Sequence, residues 1–289
     1  MNDGEKTRIL IPLDGSTPGE AVLLALLPLI RAQRIESTLF HVAGCREEEK
    51  KAAVYLEMRR KALESQGVAT RVRMVSGRPV EEILRQARTG LFDLIAMSTH
   101  GRTGLDRVLM GSVAEEVVRS SPVPTLLCRN GASRGDWSRI VVALDGTPGS
   151  EEVLGDAVRL ARSLHATLYL VTVGLSLLRS DSYRGVNFHH PSEDSTPYLE
   201  EVAIRLISQG VPAIIEKREG MAGVEIPRLA REVEAGLICM TTEGRPEQMP
   251  GLDRSIAAEV IRSAPCPVFV RHMAGEPGTH RRTQKSAEA

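Results

Sequence analysis

The 289 residues allow two domains of ordinary size, because single domains most often contain about 100–150 residues. Lysine plus arginine equals aspartate plus glutamate at 37 residues each, so no overall electric field would draw the chain onto nucleic acid or a membrane surface. Aromatic residues make up 3% of the chain, which is too few for recognition of single-stranded nucleic acid by stacking.

The cysteines and the apolar runs indicate the compartment. Four cysteines lie far apart without a C-x-x-C pattern, so we predict neither a zinc site nor a disulfide framework, and we expect buried, reduced thiols. Residues 1–6 are polar and lack the apolar core of a signal peptide. The longest apolar run, residues 21–30, is about half the length of a membrane span and contains Pro28. These features predict a cytoplasmic protein with no membrane segment.

Strand and helix patterns alternate along the first 131 residues. The first strand begins at Arg8 and ends in Asp14, and Thr17 followed by Pro18 is typical of a helix N-cap. The patterns then predict helices at 18–33, 46–66, 79–88 and 113–119, and strands at 37–43, 70–75, 91–97 and 124–129. Strands alternating with helices indicate crossover connections and a parallel sheet.

The chain then repeats itself. Asp145 follows Asp14 by 131 residues within matching segments, and later matches such as Tyr198 with Tyr55 are offset by 143 residues. The increase of the offset from 131 to 143 indicates an insertion near residues 174–197. Self-similarity on this scale predicts two copies of one domain, at 1–131 and 137–272. We expect residues 273–289, rich in Gly, Pro, Arg, Thr and Ser, to form a disordered tail.

A loop with glycines follows the fourth predicted strand. Residues 97–112 read MSTHGRTGLDRVLMGS and lead into the fifth helix. Unpaired N–H groups and partial positive charge at a helix start favour an anion such as phosphate, and glycine allows a close approach of the backbone. The alternative is that Gly101 and Gly111 are only turn and packing glycines.

This loop resembles the nucleotide loop of the universal stress protein family, G-x2-G-x9-G-[ST]. Gly101, Gly111 and Ser112 match its last three positions, and Ser98 stands in place of the first glycine. The resemblance covers residues 6–272 and is to the tandem form of the family. It implies an α/β, Rossmann-like fold of two open, twisted, parallel five-stranded sheets with helices on both faces and strand order 3-2-1-4-5. It also implies that the halves pair as a pseudo-dimer through antiparallel last strands.

The resemblance further implies a nucleotide site in the first half. Asp14 would meet the adenine, although the alternative is that it only bonds turn amides of Gly15 and Ser16. The ligand would be ATP or another adenine nucleotide, with or without Mg²⁺. The walls of the adenine pocket would be Pro12, Val42 and Met97. The groups around the ribose and phosphates would be Ser98, Gly101, Gly111, Ser112 and Val113. Arg102 would be a cation near the phosphates.

Other polar clusters do not predict catalysis or metal binding. No motif places a nucleophile or an orienting carboxylate beside His100, so we expect a structural loop histidine. His189 and His190 lie in the insertion near acidic residues, but adjacent residues on an irregular loop rarely supply convergent metal ligands. Neither G-x4-G-K-[ST] nor G-x-G-x-x-G occurs where nucleotide enzymes need it. We therefore expect no catalytic residues and no turnover.

The second half departs from the loop pattern. In an ungapped comparison Thr241 stands at Ser98, Glu243 at His100 and Arg254 at Gly111. A gapped comparison that pairs Gly251 with Gly104 still leaves no glycine before Ser255. Glu243 would repel phosphate, so we expect this half to bind nucleotide poorly; the alternative is that Arg254 neutralises a phosphate.

The sequence therefore predicts a stress or signalling protein that binds an adenine nucleotide in its first half and has an unidentified protein partner. One alternative is the same fold acting only through protein interactions, and another is a slow nucleotide hydrolase. Whether whole chains form a homodimer is left open.

Overall fold

The computed structural model describes residues 6–32, 35–99, 110–132, 137–174, 196–242 and 256–273. In this part of the chain the strands of the first half are β1 (Thr7–Pro12), β2 (Ile35–Ala43), β3 (Ala69–Ser76), β4 (Leu94–Ser98) and β5 (Thr125–Cys128). Its helices are α1 (Ala21–Ala25), α2 (Leu27–Ala32), α3 (Arg46–Glu64), α4 (Pro79–Ala87) and α5 (Ser112–Ser120).

The second half repeats this order of elements. Its strands are β6 (Arg139–Ala143), β7 (Thr167–Gly174), β8 (Ala213–Glu219), β9 (Leu237–Thr242) and β10 (Val268–His272). Its helices are α6 (Pro148–Glu151), α7 (Leu154–Leu164), α8 (Thr196–Ser208), α9 (Ala222–Glu232) and α10 (Ile256–Ser263). No helix within the described ranges combines the length and the hydropathy that crossing a bilayer requires.

All ten strands form a single sheet in the order β3-β2-β1-β4-β5-β10-β9-β6-β7-β8. Neighbouring strands within each half are parallel, whereas β5 and β10 pair antiparallel. In that central pair Leu126 lies opposite Phe269. These two residues are 143 positions apart, the offset of the repeat, so an approximate two-fold axis passes between them. The predicted pseudo-dimer is confirmed, and its two sheets are continuous.

The central strands of the sheet are mostly apolar and are buried on both faces. Every residue of β4 and of β5 is buried, as expected for parallel strands covered by helices on both sides. One face packs against α1, α2, α3, α7 and α8, and the other against α4, α5, α9 and α10. Helix packing also crosses the junction between the halves, since α2 contacts α7 and α5 contacts β10.

The single helix predicted for residues 18–33 is wrong. The chain forms a 3-10 turn at Pro18–Glu20 and then the short helices α1 and α2. Pro28 lies in the first turn of α2, where the missing N–H costs least, and it cannot continue a helix from α1. Thr17 makes no capping bond with its side chain. Ser16 acts as the cap instead, because its Oγ accepts a hydrogen bond from the N–H of Gly19 at 3.1 Å.

The prediction of buried thiols holds for three cysteines of the four. Cys128, Cys239 and Cys266 are buried, and burial raises the pKa of each of these thiols. Cys45 is exposed, immediately before α3. The prediction is therefore wrong at Cys45, which follows the end of a strand at the surface.

A buried ion pair distinguishes the second half from the first. Asp156 of α7 is 5% exposed, and its carboxylate accepts a hydrogen bond from Nε of Arg271 in β10 at 2.5 Å. Arg159 pairs with the other carboxylate oxygen. The repeat places Ala25 and Cys128 at the positions of Asp156 and Arg271. The ion pair therefore ties α7 to the junction strand in the second half alone.

We predict that Asp156→Ala lowers the free energy of unfolding by about 2–3 kcal/mol, because Arg271 loses its buried partner. The double variant Asp156→Ala with Arg271→Met should regain roughly half of that loss, because it removes the unpaired charge as well. Urea unfolding followed by circular dichroism measures both variants. A double variant that is less stable than the single one would contradict this account of the ion pair.

Candidate functional site

The candidate site lies outside the carboxyl ends of β1 and β4. These two strands are neighbours in the sheet, with Leu10 paired to Ile95. The chain proceeds from β1 to β2 on one side and from β4 to β5 on the other. In open α/β sheets, ligands bind in the crevice at such a reversal of strand order. The turn that follows β1 carries Asp14, and the end of β4 carries Ser98.

Asp14 organises the turn that follows β1. Its Oδ1 accepts hydrogen bonds from the N–H of Ser16 at 3.0 Å and from Oγ of Ser16 at 2.7 Å. A Cβ on Gly19 would lie 2.5 Å from the same oxygen, so a side chain there would displace the Asp14 carboxylate from its present position. The turn-forming role considered for Asp14 is thus present, with Ser16 as its partner.

The second half builds the same turn. Oδ1 of Asp145 accepts hydrogen bonds from the N–H of Thr147 at 2.9 Å and from its Oγ1 at 2.6 Å. Thr147 in turn caps α6 by accepting from the N–H of Ser150 at 3.2 Å. Because both halves contain it, the aspartate turn is a feature of the fold.

Ser98, which replaces the first glycine of the family pattern, is bonded to the backbone opposite. It is buried, its Oγ donates to the carbonyl of Gly19 at 2.9 Å, and it accepts from the N–H of Val22 at 3.2 Å. These two bonds hold the first turn of α1 against the end of β4. A glycine at position 98, as in the family pattern, could make neither of these bonds because it has no side chain.

Gly111 brings the start of α5 to the end of β4. Its N–H donates to the carbonyl of Thr99 at 2.8 Å. A Cβ on Gly111 would lie 3.2 Å from that carbonyl oxygen, which is closer than an ordinary contact. The backbone angles of Gly111, φ −64° and ψ 143°, suit any residue, so close approach is what favours glycine. No side chain caps this helix start, and Ser112 there is exposed.

The residues named as walls for an adenine lie on neighbouring strands. Met97 of β4 is buried, and the partly buried Val42 of β2 packs against the same apolar cluster. Pro12 ends β1, is partly buried, and pairs with Phe40 of β2. Val113 is partly buried in the first turn of α5. The structure thus gathers Pro12, Val42 and Met97 at one edge of the sheet.

Several predicted residues lie outside the described ranges. Among them are His100, Gly101 and Arg102 of the loop, the histidines at 189 and 190, the second-half loop at 243–255, and all of the predicted tail except Met273. Within the ranges described, no group of three or more His, Cys, Asp or Glu side chains could hold a metal ion.

An ion pair that the sequence analysis missed links α3 to this site. Arg59 of α3 pairs with Glu20, in the 3-10 turn after Asp14, at 2.7 Å. Arg59 also lies 5.6 Å from the centre of the Tyr55 ring. Burial, together with the charge of Glu20, raises the pKa of Tyr55.

The second half repeats this link with one change. Glu151 pairs with Arg205 of α8 at 2.5 Å. Burial, together with the charge of Glu151, raises the pKa of Tyr198 to about 12. The matching tyrosines are visible in the sequence repeat, but the arginines come from different turns of their helices. The repeat therefore could have indicated the tyrosines and not their ionic partners.

The second-half crevice is occupied differently. Met273, after β10, packs against the turn that follows Asp145, so closely that a Cβ on Gly149 would lie 1.7 Å from its Cε. Thr241, at the position of Ser98, is partly buried near the end of β9. The two halves thus share the aspartate turn and differ at the strand facing it.

Comparison with known proteins identifies the class. The universal stress protein family matches residues 6–129 and again residues 136–272. The chain therefore belongs to the universal stress protein family, in the tandem two-domain form. It is 41% identical over 70 residues to a universal stress protein of Methanocaldococcus jannaschii, which is 24% of this chain and 41% of that relative. A second relative from the same archaeon is matched over 46% of its length, so the chain spans less than half of each.

A solved structure shares the fold. A universal stress protein from Archaeoglobus fulgidus superposes with a TM-score of 0.75 at 23% identity, covering 91% of this chain and 97% of that one. A universal stress protein in complex with cAMP matches 48% of this chain and 98% of its own, at 22% identity and a TM-score of 0.39.

We predict that Ser98→Ala lowers the free energy of unfolding by about 1–3 kcal/mol, because the N–H of Val22 and the carbonyl of Gly19 lose a buried partner. Ser112→Ala is the matched control. Its hydroxyl is exposed, so its effect should stay within about 0.5 kcal/mol. Equal urea midpoints for the two variants would show that Ser98 does not hold α1.

Proposed function

We propose that the first half binds one adenine nucleotide, ATP or a relative with or without Mg²⁺, between the Asp14 turn and the start of α5. In this proposal the protein acts in stress response or signalling without turnover. The observation that carries it is the bond from the N–H of Gly111 to the carbonyl of Thr99 at 2.8 Å. This bond sets the start of α5 beside the carboxyl end of β4, whose neighbour β1 leads into Asp14.

The start of α5 suits a phosphate group. The first N–H groups of a helix have no partner within the helix, and the helix dipole adds partial positive charge. α5 has nine residues, no side-chain cap and an exposed Ser112. The N–H groups of Ser112 and Val113 are the proposed phosphate donors, with the Ser112 hydroxyl beside them. Gly101 and Arg102 are included in the proposal on the basis of the sequence motif alone.

The Asp14 turn suits the adenine. Asp14 places a carboxylate beside the carboxyl end of β1, and one oxygen of that carboxylate also holds the turn through Ser16. The amino group of adenine can donate a hydrogen bond to a carboxylate. Val42, Met97 and Pro12 supply apolar surface at the same edge, which a planar base requires.

The second half is proposed to bind nucleotide weakly. Its aspartate turn is intact, but Met273 packs against that turn at Gly149. Thr241 replaces Ser98, and the sequence places Glu243 and Arg254 where the first half has His100 and Gly111. The proposal is therefore one nucleotide per chain.

The competing function is a protein of the same fold that acts through protein partners alone. The aspartate turn is common to both halves, so it supports either function. The two functions differ in what Gly111 does. A side chain there would press on the carbonyl of Thr99 whatever the function, and only in the nucleotide-binding function would it also block a ligand.

We predict that isothermal titration with ATP gives one site per chain, and that Gly111→Val abolishes binding while circular dichroism shows the fold intact. Asp14→Ala should weaken binding roughly ten- to a hundredfold, the loss of one charge-assisted hydrogen bond of about 1.5–3 kcal/mol. Ser112→Ala should cost less than Asp14→Ala, because the backbone donors remain.

Asp145→Ala is the matched control, because Asp145 forms the same turn in the second half. Its affinity for ATP should equal that of the unaltered chain. ADP, AMP and cAMP should be titrated as well to identify the preferred nucleotide. Unchanged affinity in folded Gly111→Val protein, or no heat with any nucleotide, would favour the function through protein partners.

A further inference from the structure

The arginine at the end of β5 has an unsatisfied donor. Arg129 directly follows β5 and is partly buried, and within the described ranges its Nε is buried without a hydrogen-bond partner. Other arginines of this half differ, since Arg8 pairs with Asp93 and Arg119 pairs with Glu116. A guanidinium is always charged, and a buried donor without an acceptor costs free energy. An anion bound to Arg129 would remove that cost.

Arg129 lies at the same edge of the sheet as the candidate site. The N–H of Thr99 donates to the carbonyl of Cys128 at 3.0 Å, and the carbonyl of Thr99 accepts from the N–H of Gly111 at 2.8 Å. Thr99 thus joins the residue before Arg129 to the residue before α5. Side chains alternate along a strand, and Leu127 packs in the apolar cluster that includes the buried face of α5. Arg129 is two residues further on, so it projects to the side of the sheet that α5 covers.

The second half has a histidine at the matching position. The repeat offset of 143 places His272 at the position of Arg129. Nδ1 of His272 donates to the carbonyl of Met273 at 2.8 Å, so that ring is bonded to its own backbone. The fold therefore does not require an arginine at the end of this strand, and the arginine distinguishes the half that carries the proposed nucleotide site.

We propose that Arg129 binds the outer phosphates of the nucleotide, and that it makes the first half select nucleoside di- and triphosphates over monophosphates. This inference rests on the proposed function. The strand order places the Asp14 turn after β1, the start of α5 beside the end of β4, and Arg129 after β5. Adjacent strands are about 4.8 Å apart, so β5 lies about 10 Å from β1. A nucleotide whose adenine meets Asp14 and whose first phosphate meets α5 would extend its outer phosphates towards Arg129.

A guanidinium suits the outer phosphates. Its N–H donors form a planar fork that can bind two phosphate oxygens at once. The start of α5 carries partial positive charge as well. Two positive groups at one edge repel each other, and an anion bound between them turns that repulsion into two attractions. A monophosphate would end at α5 and leave Arg129 without its partner.

The test compares nucleotides of different length on the full chain. Isothermal titration of the unaltered protein should show ATP and ADP binding at least about tenfold more tightly than AMP. In Arg129→Gln the affinity for ATP should fall roughly ten- to a hundredfold, while the affinity for AMP stays within about twofold. Arg129→Lys should keep part of the affinity for ATP, because it retains the charge without the fork. Arg119→Gln removes an arginine of α5 that is already paired, and this control should change neither affinity.

Urea unfolding without nucleotide separates this function from a structural one. Removal of a charge that has no partner should leave the free energy of unfolding of Arg129→Gln equal to, or above, that of the unaltered chain. A clear loss of stability would show that Arg129 is structural and would overturn the inference. An ATP-to-AMP affinity ratio that Arg129→Gln preserves would overturn it too, while the proposed function stands. An unaltered chain that binds no nucleotide would overturn both.

Discussion

The structure depends on the antiparallel pairing of β5 with β10. Only three residue pairs make this contact, and Leu126 opposite Phe269 is the middle one. So short a pairing is held by the layers above and below it, because an isolated pair of strands is at best marginally stable in water. Both residues are buried, and a buried side chain of this size contributes about 1.5–3 kcal/mol. The contacts of α2 with α7 and of α5 with β10 extend the same junction to both faces.

The internal repeat separates what the fold needs from what a site would need. The aspartate turn occurs in both halves with nearly equal distances, so it belongs to the fold. The residues facing that turn differ, with Ser98 bonded to Gly19 and Val22 in one half and Met273 packed on Gly149 in the other. Differences between the halves are therefore more informative about function than the features they share.

The sequence was sufficient for the parts of the fold that local patterns determine. Short apolar runs predicted the buried strands, and the repeat predicted the pairing of halves once the family resemblance supplied the strand order. The break at Pro28 was missed because the run from 21 to 30 is apolar throughout, so hydrophobicity gives no signal of a boundary. The cap was placed on Thr17 instead of Ser16 because Ser and Thr are both good caps, and only the path of the turn decides between them.

The side-chain partners at the site could not be predicted for a different reason. Ser98 bonds to residues 76 and 79 positions away, and Arg271 bonds to Asp156 across 115 positions. Such partners are fixed by how α1 and α7 settle on the sheet, which periodicity does not describe. The sequence alone does not determine whether the hydroxyl of a serine at the end of a strand faces a ligand or a neighbouring helix.

The antiparallel junction also determines the direction in which each half faces. All strands of the first half run one way and all strands of the second half run the other way. The Asp14 turn and the Asp145 turn both follow the carboxyl end of a strand, so they lie at opposite margins of the sheet. Along the margin of the Asp14 turn, the nearest segment of the second half is the one that leads into β10, three strands away from β1 in the sheet. Each margin therefore combines one aspartate turn with the incoming segments of the other half, and because the halves differ in sequence, the two margins are chemically distinct surfaces.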